Sequence, residues 1–214
     1  MARRTKEQAL ATRDSILDAA EELFARDGVS RTSLQHIASA CGVTRGAIYW
    51  HFRDKAELFN EMMNRAVMPL EALRQPEGGT PADPVAEVRS WVLGAFRLTV
   101  TDPRTRRVFE IATHKVEYVD ELSAVRERHL TRYNQWVVRA EKCLKAAMAQ
   151  GLITPRCSAR TAARGLWALA DGLIQFWLLE PRAFDLRRTG TELVDCYLDA
   201  LRPVAGAGAA SCAG

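Results

Sequence analysis

A chain of 214 residues, 48% apolar and 26% charged, is long enough for one large or two small folded units with cores of their own. The formal net charge of +4 permits an anionic partner without demanding one, so the information lies in where the charges cluster. Five cysteines (Cys41, Cys143, Cys157, Cys196, Cys212) form no C-x-x-C pair and leave an odd one over, which argues for a reducing cytosol rather than a disulfide framework.

No basic-then-apolar leader precedes a small-residue cleavage site. The most apolar run, GLWALADGLIQFWLL, is interrupted by Asp171 and Gln175 and falls short of a membrane span. The expected location is cytoplasmic, with no membrane partner.

Taken in chain order, Arg3, Arg4 and Lys6 come first. Such a start is either a solvated tail or, ahead of a DNA reader, an arm following phosphates or the minor groove. Ile16, Ala19, Ala20, Leu23 and Phe24 predict a helix stopped by Gly28. Thr32 and Gln35 stand in the T-x-x-Q spacing of a capping box, so a short helix starts near Ser33. Leu34, Ile37, Ala38 and Cys41 put its apolar face toward a core. Gly42 lets the chain turn, Val43 plugs the corner, and Thr44 is an N-cap for a second short helix. There Ile48 and Phe52 face inward, leaving Arg45, Gly46, Ala47, Tyr49, Trp50 and His51 to the flank and the outward surface. Two short helices joined by a glycine turn are the pattern of a helix-turn-helix DNA reader.

Asp54 and Glu57 form another capping box, opening a longer helix through Leu58, Met62 and Ala66 to about Pro69 or a few residues beyond. The Pro- and Gly-rich run from Gln75 to Pro84 is the clearest break in the chain. Asp83-Pro84 and Asp102-Pro103 each fit an N-cap with Pro at the first helical position. A long helix is predicted from about Asp120 to Gln150, closed by Gly151. Another, capped by Ser158, runs to about Leu179, and a last one spans Glu192 to Leu201. The tail from 204 to 214 has no core-forming pattern and is expected to be disordered. No β-alternation and no repeat stand out, so the chain is expected to be all-α.

The stretch TSLQHIASACGVTRGAIYWHFRDKAELF resembles the signature of the TetR family of bacterial repressors. MARRTKE, DPRTRRVFEIATHKVEYVDEL and ADGLIQFWLLEP are similar to its AcrR/TtgR subgroup, which controls multidrug efflux pumps. The resemblance covers the first 60 or so residues and two segments of the remainder. It implies a three-helix DNA-binding domain over residues 1–54 and a larger helical ligand-binding and dimerisation domain over 55–203. It also implies a homodimer, with one or two dimers on each palindromic operator, released by a small hydrophobic or aromatic effector. Dimers pair through the last two long helices in this family, which selects Leu166, Leu169, Leu173, Leu193, Val194, Tyr197 and Leu201.

For DNA, Arg45 suits a guanine edge, with small Gly46 and Ala47 allowing close approach. Tyr49, His51 and Lys55 suit phosphates, and Thr32 and Ser33 offer hydroxyls and free N–H groups at a helix start. Trp50 divides between rim packing and a DNA contact.

An effector wall is expected from Phe96, Phe109, Thr113, Trp136, Trp167, Ala170, Asp171, Ile174 and Gln175, with His114 as a further polar anchor. Asp171 and Gln175, four apart in an apolar helix, either bond neighbouring groups or anchor a ligand. By the resemblance, Trp136, Trp167, Asp171 and Gln175 match lining positions. Phe109, Thr113 and Gln175 replace the subgroup's Asn, His and Arg, which implies a less basic, more aromatic lining.

His36, His51, His114 and His129 make no metal spacing, and neither a phosphate loop nor a G-x-S-x-G elbow is present. No enzyme activity, metal or cofactor is expected. The alternatives are a redox-responsive regulator using Cys143, Cys157 or Cys196, and control of a metabolic operon. A purely architectural DNA binder is disfavoured, because about two thirds of the chain lies outside the reader.

Overall fold

The computed structural model describes residues 2–72, 83–117, 123–154 and 156–203, apart from the side chains of 2–5 and 67–72. Most of the Gln75–Pro84 run, the helix start at Asp120, Pro155 and the 204–214 tail lie outside the described residues. Among the described residues the regular structure is helical only: α1 (Ala2–Asp27), α2 (Leu34–Ala40), α3 (Arg45–His51), α4 (Lys55–Ala72), α5 (Pro84–Thr101), α6 (Pro103–His114), α7 (Ser123–Ala149), α8 (Ala159–Leu179) and α9 (Leu186–Ala200).

The chain forms two compact units, residues 1–74 with 97–133, and residues 75–96 with 134–214. This is not the division drawn at residue 54. The apolar stripe of α4 (Ala56, Leu58, Phe59, Met62, Ala66) is buried in one core with Ile16, Leu17, Ala20 and Phe24 of α1. Val108 and Ile111 of α6 and Val125 of α7 complete that core. The helix that follows the reader is therefore packed as part of the first unit.

Charge reinforces this packing. Glu21 of α1 is 3% exposed and faces Arg107 at 3.3 Å and Arg104 at 3.6 Å on α6, while the neighbouring Asp18 takes Arg65 of α4 at 2.8 Å and Arg104 at 3.1 Å. Burial pushes the Glu21 carboxyl above its ordinary range, and Arg104, Arg107 and Arg65 pull it back.

Helix ends follow local chemistry. Asp102 accepts from the Thr105 N–H at 3.0 Å, Ser158 from Thr161, and Asp54 from Glu57 at 2.7 Å. The first cap shifts by one residue from the expected Thr32. Ser33 accepts from the His36 N–H, and His36 Nδ1 accepts from the Ser33 N–H. Gly28 ends α1 at φ +87 and Gly42 makes the turn at φ +69, a backbone region costly for residues with a Cβ. The last helix starts at Leu186, six residues before Glu192, because Asp185 accepts from both the Arg187 and Arg188 N–H groups.

In the second unit the buried faces are Val85, Val88, Val92 and Phe96 of α5, Val137, Ala140 and Leu144 of α7, Ala162, Ala163 and Leu166 of α8, and Val194 and Leu198 of α9. Arg89 donates to both Asp195 oxygens at 2.5 and 2.8 Å, tying α5 to α9. Tyr197 Oη donates to the Ala162 carbonyl at 2.8 Å, tying α9 to α8.

At Gly190, α9 lies directly against Phe96 of α5. A Cβ there would stand 2.6 Å from two ring carbons of Phe96, which is 1% exposed. Alanine gains about 1 kcal/mol of helix propensity, but overpacking a ring that cannot retreat costs about 1–3 kcal/mol. Gly190→Ala should therefore lower the thermal midpoint by several degrees, roughly 2–4 °C per kcal/mol. Gly172→Ala, where a Cβ meets nothing within 4 Å, should leave it equal or higher. A Gly190→Ala protein more stable than wild type would contradict this packing.

Candidate functional site

The helix-turn-helix is built from the inside outward. Leu34, Ile37 and Ala38 of α2 and Ile48 of α3 are buried beneath α1. Thr44 caps α3 by accepting the Ala47 N–H at 3.1 Å. These anchors leave Arg45, Gly46, Tyr49 and Trp50 exposed.

Arg45 Nη2 donates to Tyr49 Oη at 2.9 Å, and its guanidinium lies 5.4 Å from the Tyr49 ring centroid. The pair holds one turn of α3 in a fixed posture, which lowers the entropy cost of meeting a partner. Trp50 is 75% exposed, which excludes a core role, and its ring meets His51 edge-on at 4.7 Å. Partial burial, and then Arg13, hold the His51 imidazole below its ordinary value. Gly46 has open space, its nearest foreign atom being Thr44 Oγ1 at 3.8 Å, and Ala47 is half-buried.

A polar cleft of about 530 Å³ opens beside α3, between the loop before α2 and the start of α4. Two expected phosphate ligands sit differently there. Thr32 is 1% exposed and its hydroxyl donates to the Gly28 carbonyl at 2.8 Å. Lys55 is 5% exposed and its ammonium donates to the Thr32 carbonyl at 3.2 Å. Both brace the cleft floor rather than face solvent. Ser33 stays on the exposed rim, its hydroxyl engaged by the His36 N–H.

Arg31 and Arg53, which the sequence reading did not select, also line the cleft and are exposed. Their signal was available, since each is a basic residue one or two positions ahead of a helix cap. Arg3 and Arg4 stand in the first turn of α1 and not on an extended arm.

In the second unit the structure brings Trp136 of α7 against Trp167 of α8, with ring centroids 5.2 Å apart at 63°. Asp171 Oδ2 accepts from Gln175 Nε2 at 2.5 Å, so these two polar groups bond each other, and both have further partners. Ala170 and Ile174 are half-buried beside them in sequence. Phe96 is 1% exposed and packs against Gly190 of α9. Phe109 and Thr113, both half-buried, and the exposed His114 lie on α6 in the first unit.

The expected dimer residues divide. Leu166, Val194 and Leu201 are 0%, 0% and 8% exposed, buried within their own chain. Tyr197 is half-buried and bonded to α8. Leu169 and Leu173 are half-buried and Leu193 is exposed. The largest exposed apolar side chains of α8 are Phe176 (70%) and Leu179 (64%), which the expected set left out. Cys143 is buried, and that burial raises its thiol above the ordinary value, the opposite of a reactive thiolate.

Comparison with known proteins accords with this geometry. Residues 16–62 match the family model of bacterial regulatory proteins of the tetR family, and residues 83–203 match the C-terminal region of MAATS-type transcriptional repressors. The transcriptional regulator TtgR of Pseudomonas putida is 39% identical over 203 residues, covering 94% of this chain and 97% of its own. The chain belongs to the TetR family of bacterial regulatory proteins.

The crystal structure of NalD, the secondary repressor of the MexAB-OprM multidrug efflux pump in Pseudomonas aeruginosa, is similar at a TM-score of 0.81. It has 37% identity and covers 91% of this chain and 96% of its own. The triclosan complex of SmeT, the repressor of the Stenotrophomonas maltophilia pump SmeDEF, has a TM-score of 0.77 and 31% identity, covering 91% and 93%. The tetR-family match spans the second half of α1, the helix-turn-helix and the start of α4. This TetR-family chain is a transcriptional repressor with a DNA-binding helix-turn-helix, in a group of regulators and not of enzymes. Among the described residues no helix is long and apolar enough to cross a membrane.

Proposed function

We propose that this repressor binds a palindromic operator as a homodimer in the cytoplasm, controls a multidrug efflux operon, and is released by hydrophobic aromatic effectors. The DNA half of this reading rests on Arg45, Tyr49 and Trp50 exposed on a capped helix beside a cleft rimmed by Arg31 and Arg53. The operon half rests on the relatives, since NalD and SmeT are each described as an efflux-pump repressor.

The observation that carries the effector half is the Trp136–Trp167 pair on the helices that also bear the half-buried Asp171–Gln175 bond. Aromatic faces reward flat apolar area, and a few polar groups orient it. An effector acts only through its difference in affinity between DNA-competent and DNA-incompetent states, so binding must be weaker when operator is present.

Triclosan, bound by the related SmeT, is the probe. It should quench tryptophan fluorescence at about micromolar concentration. Asp171→Ala should change that affinity about tenfold while leaving operator binding by the free protein within about twofold. Equal quenching curves for wild type and Asp171→Ala, over triclosan and a panel of planar apolar compounds, would make Asp171 a structural residue only.

A further inference from the structure

We infer that Asn64 is a positioning residue for DNA reading, the middle of a polar relay that ties α7 through α4 to the C-terminal corner of α3. The inference needs α3 to read DNA and does not need the effector wall.

The relay is continuous within the first unit. Arg128 Nη2 and Arg132 Nη2, one turn apart on α7, both donate to Asn64 Oδ1, the latter at 2.5 Å. Asn64 Nδ2 donates to Glu61 Oε1 at 2.9 Å. Glu61 Oε2 accepts from Arg13 Nη2 at 2.5 Å, and the Arg13 guanidinium lies 5.1 Å from the ring centroid of Phe52. Phe52 is 1% exposed, and its N–H closes α3 on the Ile48 carbonyl at 2.9 Å.

The amide of Asn64 has one chemically sensible orientation here. A flip would turn its NH₂ toward two guanidiniums and its oxygen toward a carboxylate. The links on either side of Asn64 therefore polarise in the same sense, from the arginines toward Glu61, where the Arg13 donor arrives from the other side.

The two ends differ in strength. At the α3 end a carboxylate meets a guanidinium, a charge-assisted bond. At the α7 end one neutral oxygen serves two cations. The Arg128 Nε is buried without a hydrogen-bond partner among the described residues, beside a cavity of about 30 Å³ between α4, α6 and α7. The α7 end is thus the one that yields first, and α7 carries Trp136 one turn beyond Arg132. A change in α7 that withdraws the arginines would loosen Asn64, then Glu61, then the grip of Arg13 on the α3 corner.

The test is residue-resolved amide hydrogen exchange on the full chain, with affinity for a duplex selected on the wild-type protein from a random pool. The Arg128→Gln/Arg132→Gln protein and Asn64→Ala should each speed exchange at the Phe52 amide about tenfold and weaken the duplex about three- to tenfold. The combined variant should go no further than either, because one path is cut twice. Arg126→Gln, an exposed arginine on the same helix, should match wild type.

Should Asn64→Ala fail to fold, Glu61→Gln is the second variant. It keeps a side-chain oxygen to accept from Asn64 but removes the charge facing Arg13, and it should speed Phe52 exchange while leaving α7 amides unchanged. Exchange changes confined to α4 and α7, additive changes at Phe52, or an Arg126→Gln effect of equal size would each overturn the relay.

Discussion

Phe176→Glu is expected to turn the repressor into a monomer and to lower its operator affinity by more than about a hundredfold, since two coupled half-sites become one. Phe176 and Leu179 are 70% and 64% exposed on one side of α8, and Leu193 is 40% exposed on α9. Covering a phenylalanine ring contributes about 1.5–3 kcal/mol, and a two-fold interface counts it twice, giving about 3–6 kcal/mol from this residue alone. A carboxylate forced into the same place reverses the sign, since a buried unpaired charge is strongly unfavourable.

The substitution is informative because Phe176 contributes little to its own chain. The variant should fold, whereas Leu166→Glu, at 0% exposure, should not. Sedimentation velocity reads the outcome, and a folded Phe176→Glu protein that stays dimeric would remove this face from the interface.

Arg45→Ala carries the second large effect, expected at about 10- to 100-fold in operator affinity with base preference relaxed at one position of each half-site. Two losses coincide. The guanidinium that can pair with a base edge is gone, and Tyr49 loses the group that holds its ring and hydroxyl in place. Tyr49→Phe separates them, because the ring remains under Arg45 while the 2.9 Å hydrogen bond is lost, and it should cost only a few-fold.

Arg31→Gln and Arg53→Gln should behave differently, weakening all sequences alike and lowering the salt slope by about one unit each. Lys55→Ala should also lower the stability of the head, because Lys55 is 5% exposed and its ammonium donates to the Thr32 carbonyl. Mobility shifts over a salt series distinguish these classes. An Arg45→Ala protein with unchanged affinity and unchanged sequence preference would end its assigned role.

The reading head was legible in the sequence because it is governed by short-range rules. Gly42, the Thr44 cap and the inward spacing of Ile48 and Phe52 act within a few residues of themselves, and the structure uses each of them. The one-residue error at the first cap has a plain cause. Thr32 and Ser33 can both cap, and the choice falls to Ser33 once the Thr32 hydroxyl turns back to the Gly28 carbonyl, a contact invisible to local spacing.

Lys55 sits deeper than its position suggests for a related reason. A lysine at a helix start is ordinarily solvated, and only the folded loop brings the Thr32 carbonyl to it.

The second unit was less legible. Because α8 is apolar around most of its circumference, periodicity cannot tell an inner from an outer stripe, and Leu166, expected at the dimer face, is 0% exposed. On α9, Gly190 lies ahead of the helix expected from Glu192. Its small size is what admits Phe96. The assignment of α4 to the reading unit rests on contacts with α6 that are more than 30 residues away in sequence, beyond any pattern a single chain displays.

The central claim is that one protein holds a DNA-competent state which a hydrophobic aromatic compound can withdraw. The most direct measurement is fluorescence anisotropy of a labelled duplex, recovered from a random pool on the wild-type protein, titrated with protein at fixed salt in the presence and absence of triclosan. The account predicts an inverted-repeat duplex bound by an even number of chains, and a rightward shift of at least about tenfold when the compound is present. Superimposable curves over triclosan and the panel of planar apolar compounds, or a recovered duplex without inverted symmetry, would contradict it.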